Sequence, residues 1–106
     1  MLELLVRDEG HYVQFAADGI AALALVERAM IKPDLILSDY NLPGGMNGVE
    51  ATAKLRHLIK LPVPVIILTG DISTTALRNI AGHACEQLNK PVKPKTLIQT
   101  IRRLLR

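Results

Sequence analysis

The chain has 106 residues, of which 49% are apolar and only 3% are aromatic. This length suits one domain with an aliphatic core. The single cysteine excludes an intrachain disulfide, and no apolar run reaches the roughly 20 residues that a membrane-spanning helix needs. The net charge is +3, and the excess lies in the segment from Lys90 to Arg106, which holds six cations and no acid. We therefore expect a cytoplasmic domain with a basic C-terminal segment.

The first third of the chain predicts two helices and one strand between them. The apolar segment Leu2–Val6 is interpreted as the end of a first helix. Residues 12–15 alternate in polarity, which is typical of an edge strand. Apolar positions on one face of residues 19–30 predict a helix, which Pro33 ends. The predicted series thus opens on a helix with no strand before it.

The remainder of the chain alternates short apolar runs with amphipathic segments. Strands are predicted at 34–37, 63–68 and 85–88. Helices are predicted at 49–59, at 73–81 with Ser73 or Thr74 as the cap, and from residue 95 onward. Continuous apolar strands suit a parallel sheet that is covered on both faces. The alternation predicts an α/β fold of the doubly wound type in one domain.

Three polar residues follow predicted strands: Asp39, Thr69 and Lys90. Active groups gather at the carboxyl ends of strands in open α/β sheets. A carboxylate, a hydroxyl and an ammonium at one edge could form a phosphate site, with the carboxylate as nucleophile and the other two groups neutralising phosphoryl oxygens. Each residue also has an ordinary explanation. Asp39 could end a strand before a Pro-Gly turn, Thr69 could belong to a turn, and Lys90 could be a solvated lysine.

Three motifs resemble those of response-regulator receiver domains. The segment LILSDYNLPGGMNGVE is similar to the phospho-acceptor region, VIILTGD to the fourth strand with its switch hydroxyl, and LNKPVKP to the Lys-Pro that closes the fifth strand. The motifs occur in the right order, and the resemblance covers the whole chain. Their sequences are most similar to those of receivers at the C-terminus of hybrid sensor histidine kinases. The resemblance implies a flavodoxin-like fold with strand order 2-1-3-4-5.

The resemblance also implies roles for individual residues. Asp39 would accept a phosphoryl group from a histidine kinase or a histidine phosphotransfer protein, so the domain would be a phospho-acceptor and not an enzyme. Thr69 would hydrogen-bond the phosphoryl group, and Lys90 would pair with it next to a Lys90–Pro91 bond that could be cis. The Asp39 carboxylate and the backbone carbonyl of Asn41 would bind Mg²⁺, which prefers oxygen ligands.

The chain departs from the family at its N-terminus. Receivers open with a strand that ends in two acidic metal ligands, and no such strand is recognised here. Asp8 and Glu9 are adjacent acids, but they align at the opposite edge of the sheet from Asp39. We therefore predict a receiver domain over residues 1–106 that is truncated at its N-terminus, with Mg²⁺ binding weak or lost. The missing central strand would leave a gap, which predicts a homodimer or a strand-swapped oligomer.

Two alternatives to a functional receiver stay open at this point. The first is a receiver-like interaction module that cannot be phosphorylated, which the missing acids favour. The second is a nucleic-acid binder that uses the basic segment from Lys90 to Arg106, although a solvated helix face explains these cations as well. We expect neither a nucleic-acid partner nor a membrane partner. Gln87 stands where receivers often carry an aromatic residue, so an aromatic switch is not expected.

Overall fold

The fold is taken from a computed structural model, which describes residues 2–6, 12–29, 32–70 and 73–105. Within these residues the strands are β1 (Leu2–Val6), β2 (Tyr12–Ala16), β3 (Leu35–Asp39), β4 (Val65–Thr69) and β5 (Glu86–Asn89). The helices are α1 (Gly19–Ala29), α2 (Gly48–Ile59), α3 (Thr74–Gly82) and α4 (Pro94–Leu104). The strands form one sheet in the order β2-β1-β3-β4-β5. This α/β arrangement has the flavodoxin-like strand order.

The N-terminal segment corrects the sequence prediction. Leu2–Val6 is a strand and not the end of a helix, and it lies between β2 and β3. The prediction of a truncated fold with its first strand missing was therefore wrong, because the central position of the sheet is filled. Leu2 and Leu4 are buried, while Glu3 between them is only partly buried. This alternation has the period of two that marks a strand, but five residues are too few to separate it from a short helix.

β1 runs antiparallel to both of its neighbours, so the sheet is mixed and not wholly parallel as predicted. Only residues 7–11 connect β1 to β2. A parallel connection needs a dozen or more residues, whereas a short one permits an antiparallel hairpin. The register pairs Leu2 with Ser38 and Leu5 with Leu35. The N-terminal end of β1 consequently lies beside the carboxyl end of β3.

The hydrophobic core lies between one face of the sheet and the helices α1 and α2. Its fully buried members include Leu2, Leu4, Ala22, Ile36, Val49, Leu55 and Ile67. Burying an aliphatic side chain of this size stabilises the fold by about 1.5–3 kcal/mol. On the other face, α4 contacts β5 through an ion pair between Arg103 and Glu86. Phe15 on β2 belongs to that second face and is 60% exposed.

Specific polar contacts fix the two ends of α2. At its start, Asn47 and Glu50 form a reciprocal capping box, which satisfies backbone donors that the helix itself leaves unpaired. Near its end, the Arg56 guanidinium donates to the backbone carbonyls of Val63, His83 and Ala84. Arg56 thereby ties α2 to the loops before β4 and β5. None of the helices in the described ranges is long and apolar enough to span a bilayer.

Candidate functional site

Asp39 and Lys90 meet at the carboxyl edge of the sheet. Asp39 is the last residue of β3, and Lys90 directly follows β5. The Lys90 Nζ lies 3.0 Å from Asp39 Oδ1, with side chains that are 47% and 26% exposed. The Lys90–Pro91 peptide bond is cis, as the resemblance implied. The structure thus brings a carboxylate and a cation into direct contact at a position that solvent can reach.

Thr69 ends β4, the strand that separates β3 from β5. Its backbone carbonyl accepts from the Lys90 N–H at 2.9 Å, and the neighbouring Leu68 carbonyl accepts from the Tyr40 N–H at 2.8 Å. These two hydrogen bonds join the three strand ends to one another. Thr69 is 1% exposed, so the residue is buried at the end of its strand. The three residues that the sequence singled out are therefore gathered at one edge of the sheet.

Gly48 holds the loop after β3 close to the sheet. Its N–H donates to the Tyr40 carbonyl at 2.7 Å, and the Ser38 hydroxyl donates to the Asp39 carbonyl at 2.9 Å. A Cβ atom at position 48 would lie 2.1 Å from the Asp39 carbonyl oxygen. Only glycine permits this approach, because any side chain would overlap the backbone of Asp39. The start of α2 thus fixes the backbone of the candidate phospho-acceptor.

The charges around Asp39 favour its ionised form. Burial of the carboxylate raises its pKa, but the cationic groups around it, which include the Lys90 ammonium, outweigh burial, and the pKa is lowered. A carboxylate must be ionised to act as a nucleophile. Asp39 is therefore ionised at neutral pH, which is the form that a nucleophilic role would require.

Glu3 is a further residue of this edge that the sequence analysis did not identify. It lies opposite Leu37 in the β1–β3 register, and Leu37 and Asp39 project to the same face of β3 because side chains alternate along a strand. Burial first, and the charge of Asp39 second, raise the pKa of Glu3. The signal was present in the alternation of Leu2, Glu3 and Leu4, but the segment was interpreted as helical.

Oxygen donors for a divalent cation are present at this edge, though in small number. Among the described residues, no three His, Cys, Asp or Glu side chains converge. The Asp39 carboxylate and the backbone of Asn41, which lies in the exposed loop two residues further on, remain the ligands that the resemblance implies. Mg²⁺ is commonly held by one or two carboxylates and keeps several waters. A Mg²⁺ ion held here would supply positive charge beside the phosphoryl oxygens.

The sequence analysis also singled out Asp8, Glu9 and Gln87. Asp8 and Glu9 lie outside the described residues, so their expected position at the opposite edge is not addressed. Gln87 on β5 donates through Nε2 to Asn89 Oδ1 at 2.7 Å. The position that often holds an aromatic residue in receivers therefore carries an amide pair here, and the absence of an aromatic switch stays a prediction.

Comparison with known proteins identifies the family. The sequence model of the response regulator receiver domain family matches residues 1–102 of the chain. The chain therefore belongs to the receiver domain family of two-component signal transduction, as the sequence motifs indicated. Receiver domains are signalling modules that accept a phosphoryl group, and they are not conventional enzymes.

Several relatives support this assignment. The chain is 36% identical over 107 residues to the DNA-binding response regulator MtrA of Mycobacterium tuberculosis, with 100% of this chain and 45% of the relative covered. It is 35% identical over 106 residues to Protein PilH of Pseudomonas aeruginosa, with 98% and 85% covered. The chain thus spans about half the length of MtrA but most of PilH.

A solved structure shows the same fold. It is the receiver domain of a signal transduction histidine kinase from Syntrophus aciditrophicus, with a TM-score of 0.74 and 26% identity. The alignment covers 87% of this chain and 69% of that one.

Proposed function

We propose that this domain is a phosphorelay receiver that accepts a phosphoryl group on Asp39. The observation that carries the proposal is the contact of 3.0 Å between Lys90 Nζ and Asp39 Oδ1, at the strand edge that also holds Thr69. The donor would be a phosphohistidine of a histidine kinase or a histidine phosphotransfer protein, and the transfer would take place in the cytoplasm.

The transfer exchanges one bond to phosphorus for another. The Asp39 carboxylate attacks the phosphorus atom, a P–O bond forms, and the P–N bond to the donor imidazole breaks. The imidazole leaves with the bonding electron pair and takes up a proton. The Lys90 ammonium neutralises charge on the phosphoryl oxygens, and the Thr69 hydroxyl donates a hydrogen bond to one of them. These groups lower the barrier by positioning and by charge neutralisation.

The direct test is phosphorylation of Asp39 by a small donor. The chain is incubated with acetyl phosphate and Mg²⁺ beside an Asp39→Ala control, and intact mass is measured without acid or heat. We expect a gain of one phosphoryl group that the control lacks. A folded chain, shown by circular dichroism, that gains no mass would contradict the proposal. That outcome would favour the alternative of an interaction module that cannot be phosphorylated, consistent with the few carboxylates at the site.

The surface proposed for self-association differs from the gap in the sheet that the sequence suggested. The predicted gap in the sheet is filled by β1, so strand swapping into that gap is no longer called for. Val13 and Phe15 on the edge strand β2 are 40% and 60% exposed, and this apolar surface supports a homodimer in its place. Light scattering at micromolar concentration tests this, and a mass equal to one chain would contradict it.

The basic C-terminal segment offers little support for a nucleic-acid partner. Lys90 pairs with Asp39 and Arg103 with Glu86, so two of the cations counted from the sequence already neutralise acids of the domain. Nucleic-acid binding relies on cations that are available to phosphates. We expect no retention on a DNA column at low salt, and salt-sensitive retention would revive this alternative.

A further inference from the structure

Strand β2 (Tyr12–Ala16) forms one edge of the sheet. It stands first in the strand order, and its five residues pair on one side with β1. In the described part of the chain, the backbone hydrogen bonds made by loops and helix ends reach none of these five residues. The outer side of β2 therefore presents a row of backbone donors and acceptors with which a further strand can pair.

The sequence of β2 lacks the features that usually protect such an edge. Its five residues, YVQFA, include no charged residue and no proline, and its register with β1 runs without a bulge. The opposite edge strand, β5, carries the charged Glu86, which pairs with Arg103 of α4. Charges on an edge strand discourage pairing with other chains. Of the two edges, β2 is thus the one that is open to a further strand.

Pairing β2 with β2 of a second copy gives a self-complementary register. A two-fold axis perpendicular to the sheet makes the two strands antiparallel and keeps their equivalent faces on the same side. When the axis passes through Gln14, all five residues of each strand are paired. Val13 then lies opposite Phe15 of the second copy, and Phe15 lies opposite Val13 of the second copy.

The side chains favour this register. Val13 and Phe15 project to the same face of the sheet, because side chains alternate along a strand, and they are 40% and 60% exposed. Cross-strand pairs of an aromatic and a β-branched residue are favourable, and the register forms two of them. The Gln14 carboxamides meet at the centre, where each can both donate and accept. Like charges do not oppose each other, because β2 carries no charge.

We propose that two copies of this chain associate edge to edge through β2, in an antiparallel register centred on Gln14, and form one continuous sheet from the strands of both. This inference goes beyond phosphoryl transfer and gives a geometry to the homodimer proposed above. Asp39 lies on β3, which β1 separates from β2. Because the axis reverses the strand direction, the two Asp39 sites lie at opposite ends of the joined sheet, and both stay open to a phosphoryl donor.

A covalent trap at the centre of the register tests this geometry. Gln14→Cys is made in a Cys85→Ala background, so that the chain carries one thiol. Directly opposite residues of an antiparallel pair have Cα atoms about 4.5 or 5.5 Å apart, which a disulfide can span. The matched control is Gln99→Cys in the same background, because Gln99 is exposed on α4, the helix that contacts the other edge strand.

Oxidation of both variants by air with copper phenanthroline is followed by non-reducing gel electrophoresis. We expect Gln14→Cys to form a linked dimer about ten-fold or more faster than Gln99→Cys, since paired strands hold the two thiols at an effective concentration in the millimolar range. Labelling of each thiol with a small maleimide corrects for differences in burial. Equal rates of cross-linking after this correction would overturn the proposal.

Sedimentation equilibrium gives an independent measurement without a cross-link. Phe15→Lys places a cation on the edge strand and removes both Val–Phe pairs, so it should weaken dimerisation by about ten-fold or more. Leu61→Lys is the matched control, because Leu61 is 53% exposed and lies before β4, which β1 and β3 separate from β2. The control should associate as the wild type does. A folded Phe15→Lys variant, shown by circular dichroism, that associates as tightly as the wild type would contradict the proposal.

The outcomes separate this proposal from the two made above. If the wild type is a dimer but Gln14→Cys is not trapped, a homodimer through another surface stands and the edge-to-edge geometry falls. A wild type that stays monomeric from micromolar to sub-millimolar concentration overturns the proposal as well. Acetyl phosphate should add one phosphoryl group to Phe15→Lys and to the wild type alike. A failure of phosphorylation in both would remove the phospho-acceptor function and leave the β2 interface in place.

Discussion

The contact between Gly48 and Asp39 predicts that even the methyl side chain of alanine at position 48 would strongly lower the free energy of unfolding. In Gly48→Ala, the new Cβ would lie 2.1 Å from the Asp39 carbonyl oxygen and 2.8 Å from the Ser38 Oγ. It would have to retreat by about 0.9 Å to reach the closest separation that real Cβ atoms show, 3.0 Å. The obstructing atom is backbone and cannot rotate away, so the start of α2 must move off the sheet.

The expected magnitude follows from three contributions. Overpacking of a tight site costs about 1–3 kcal/mol, and occasionally more. Moving α2 also weakens the hydrogen bond from the Gly48 N–H to the Tyr40 carbonyl, which is worth about 1 kcal/mol. The lower chain entropy of alanine in the unfolded state restores about 0.4–1 kcal/mol. We therefore expect Gly48→Ala to lower the free energy of unfolding by about 2 kcal/mol or more.

Urea denaturation followed by far-ultraviolet circular dichroism measures this change. Gly82→Ala is the matched control, because no atom lies within 4 Å of the Cβ it would add and its backbone is helical. The free energy of unfolding of Gly82→Ala should equal that of the wild type or exceed it by up to about 0.5–1 kcal/mol. If Gly48→Ala were as stable as Gly82→Ala, the close approach of α2 to Asp39 would be refuted. The displaced Asp39 backbone should also reduce phosphorylation by acetyl phosphate in Gly48→Ala alone.

Three further predictions concern other contacts. Arg56→Lys should lower the free energy of unfolding by about 1–3 kcal/mol in urea, because an ammonium cannot replace the guanidinium on three separate carbonyls. Equal stability would contradict this. Asp18→Ala should lower the free energy of unfolding by about 1 kcal/mol, since Asp18 Oδ1 accepts from the Ala21 N–H at the start of α1. The same substitution should leave phosphorylation unchanged. Lys90→Met should raise the pKa of Asp39, measured by an NMR titration of its carboxyl carbon. Burial raises this pKa, and the substitution removes one of the positive charges that lower it. The Asp39–Lys90 pair stabilises the wild type above the pKa of an unfolded Asp, near 3.9. That contribution is lost as the pH falls through the lowered pKa of Asp39, and an unchanged pKa in Lys90→Met would contradict the pairing.

Much of the candidate site could be predicted from the sequence because it depends on local patterns. Asp39 and Thr69 each stand at the end of a short apolar run, and Lys90 follows the short predicted strand at 85–88; parallel strands bring such ends to one edge. Helices α1 to α4 have apolar stripes of helical period and identifiable ends, so their positions were close to those predicted. Ser73, one of two candidates for the cap of α3, accepts from the Ala76 N–H.

The N-terminal strand could not be predicted, because its identity depends on the partners it finds. A five-residue segment with four apolar residues suits a helix or a strand equally, and pairing with β2 and β3 decides between them. Its direction follows from the short connection to β2, and the direction in turn decides that Glu3 lies beside Asp39. The sequence by itself determined which strand ends carry the candidate chemistry. Only the tertiary structure decided that the carboxylate of Glu3 lies near Asp39, because register and strand direction arise from contacts between segments that are distant in the chain.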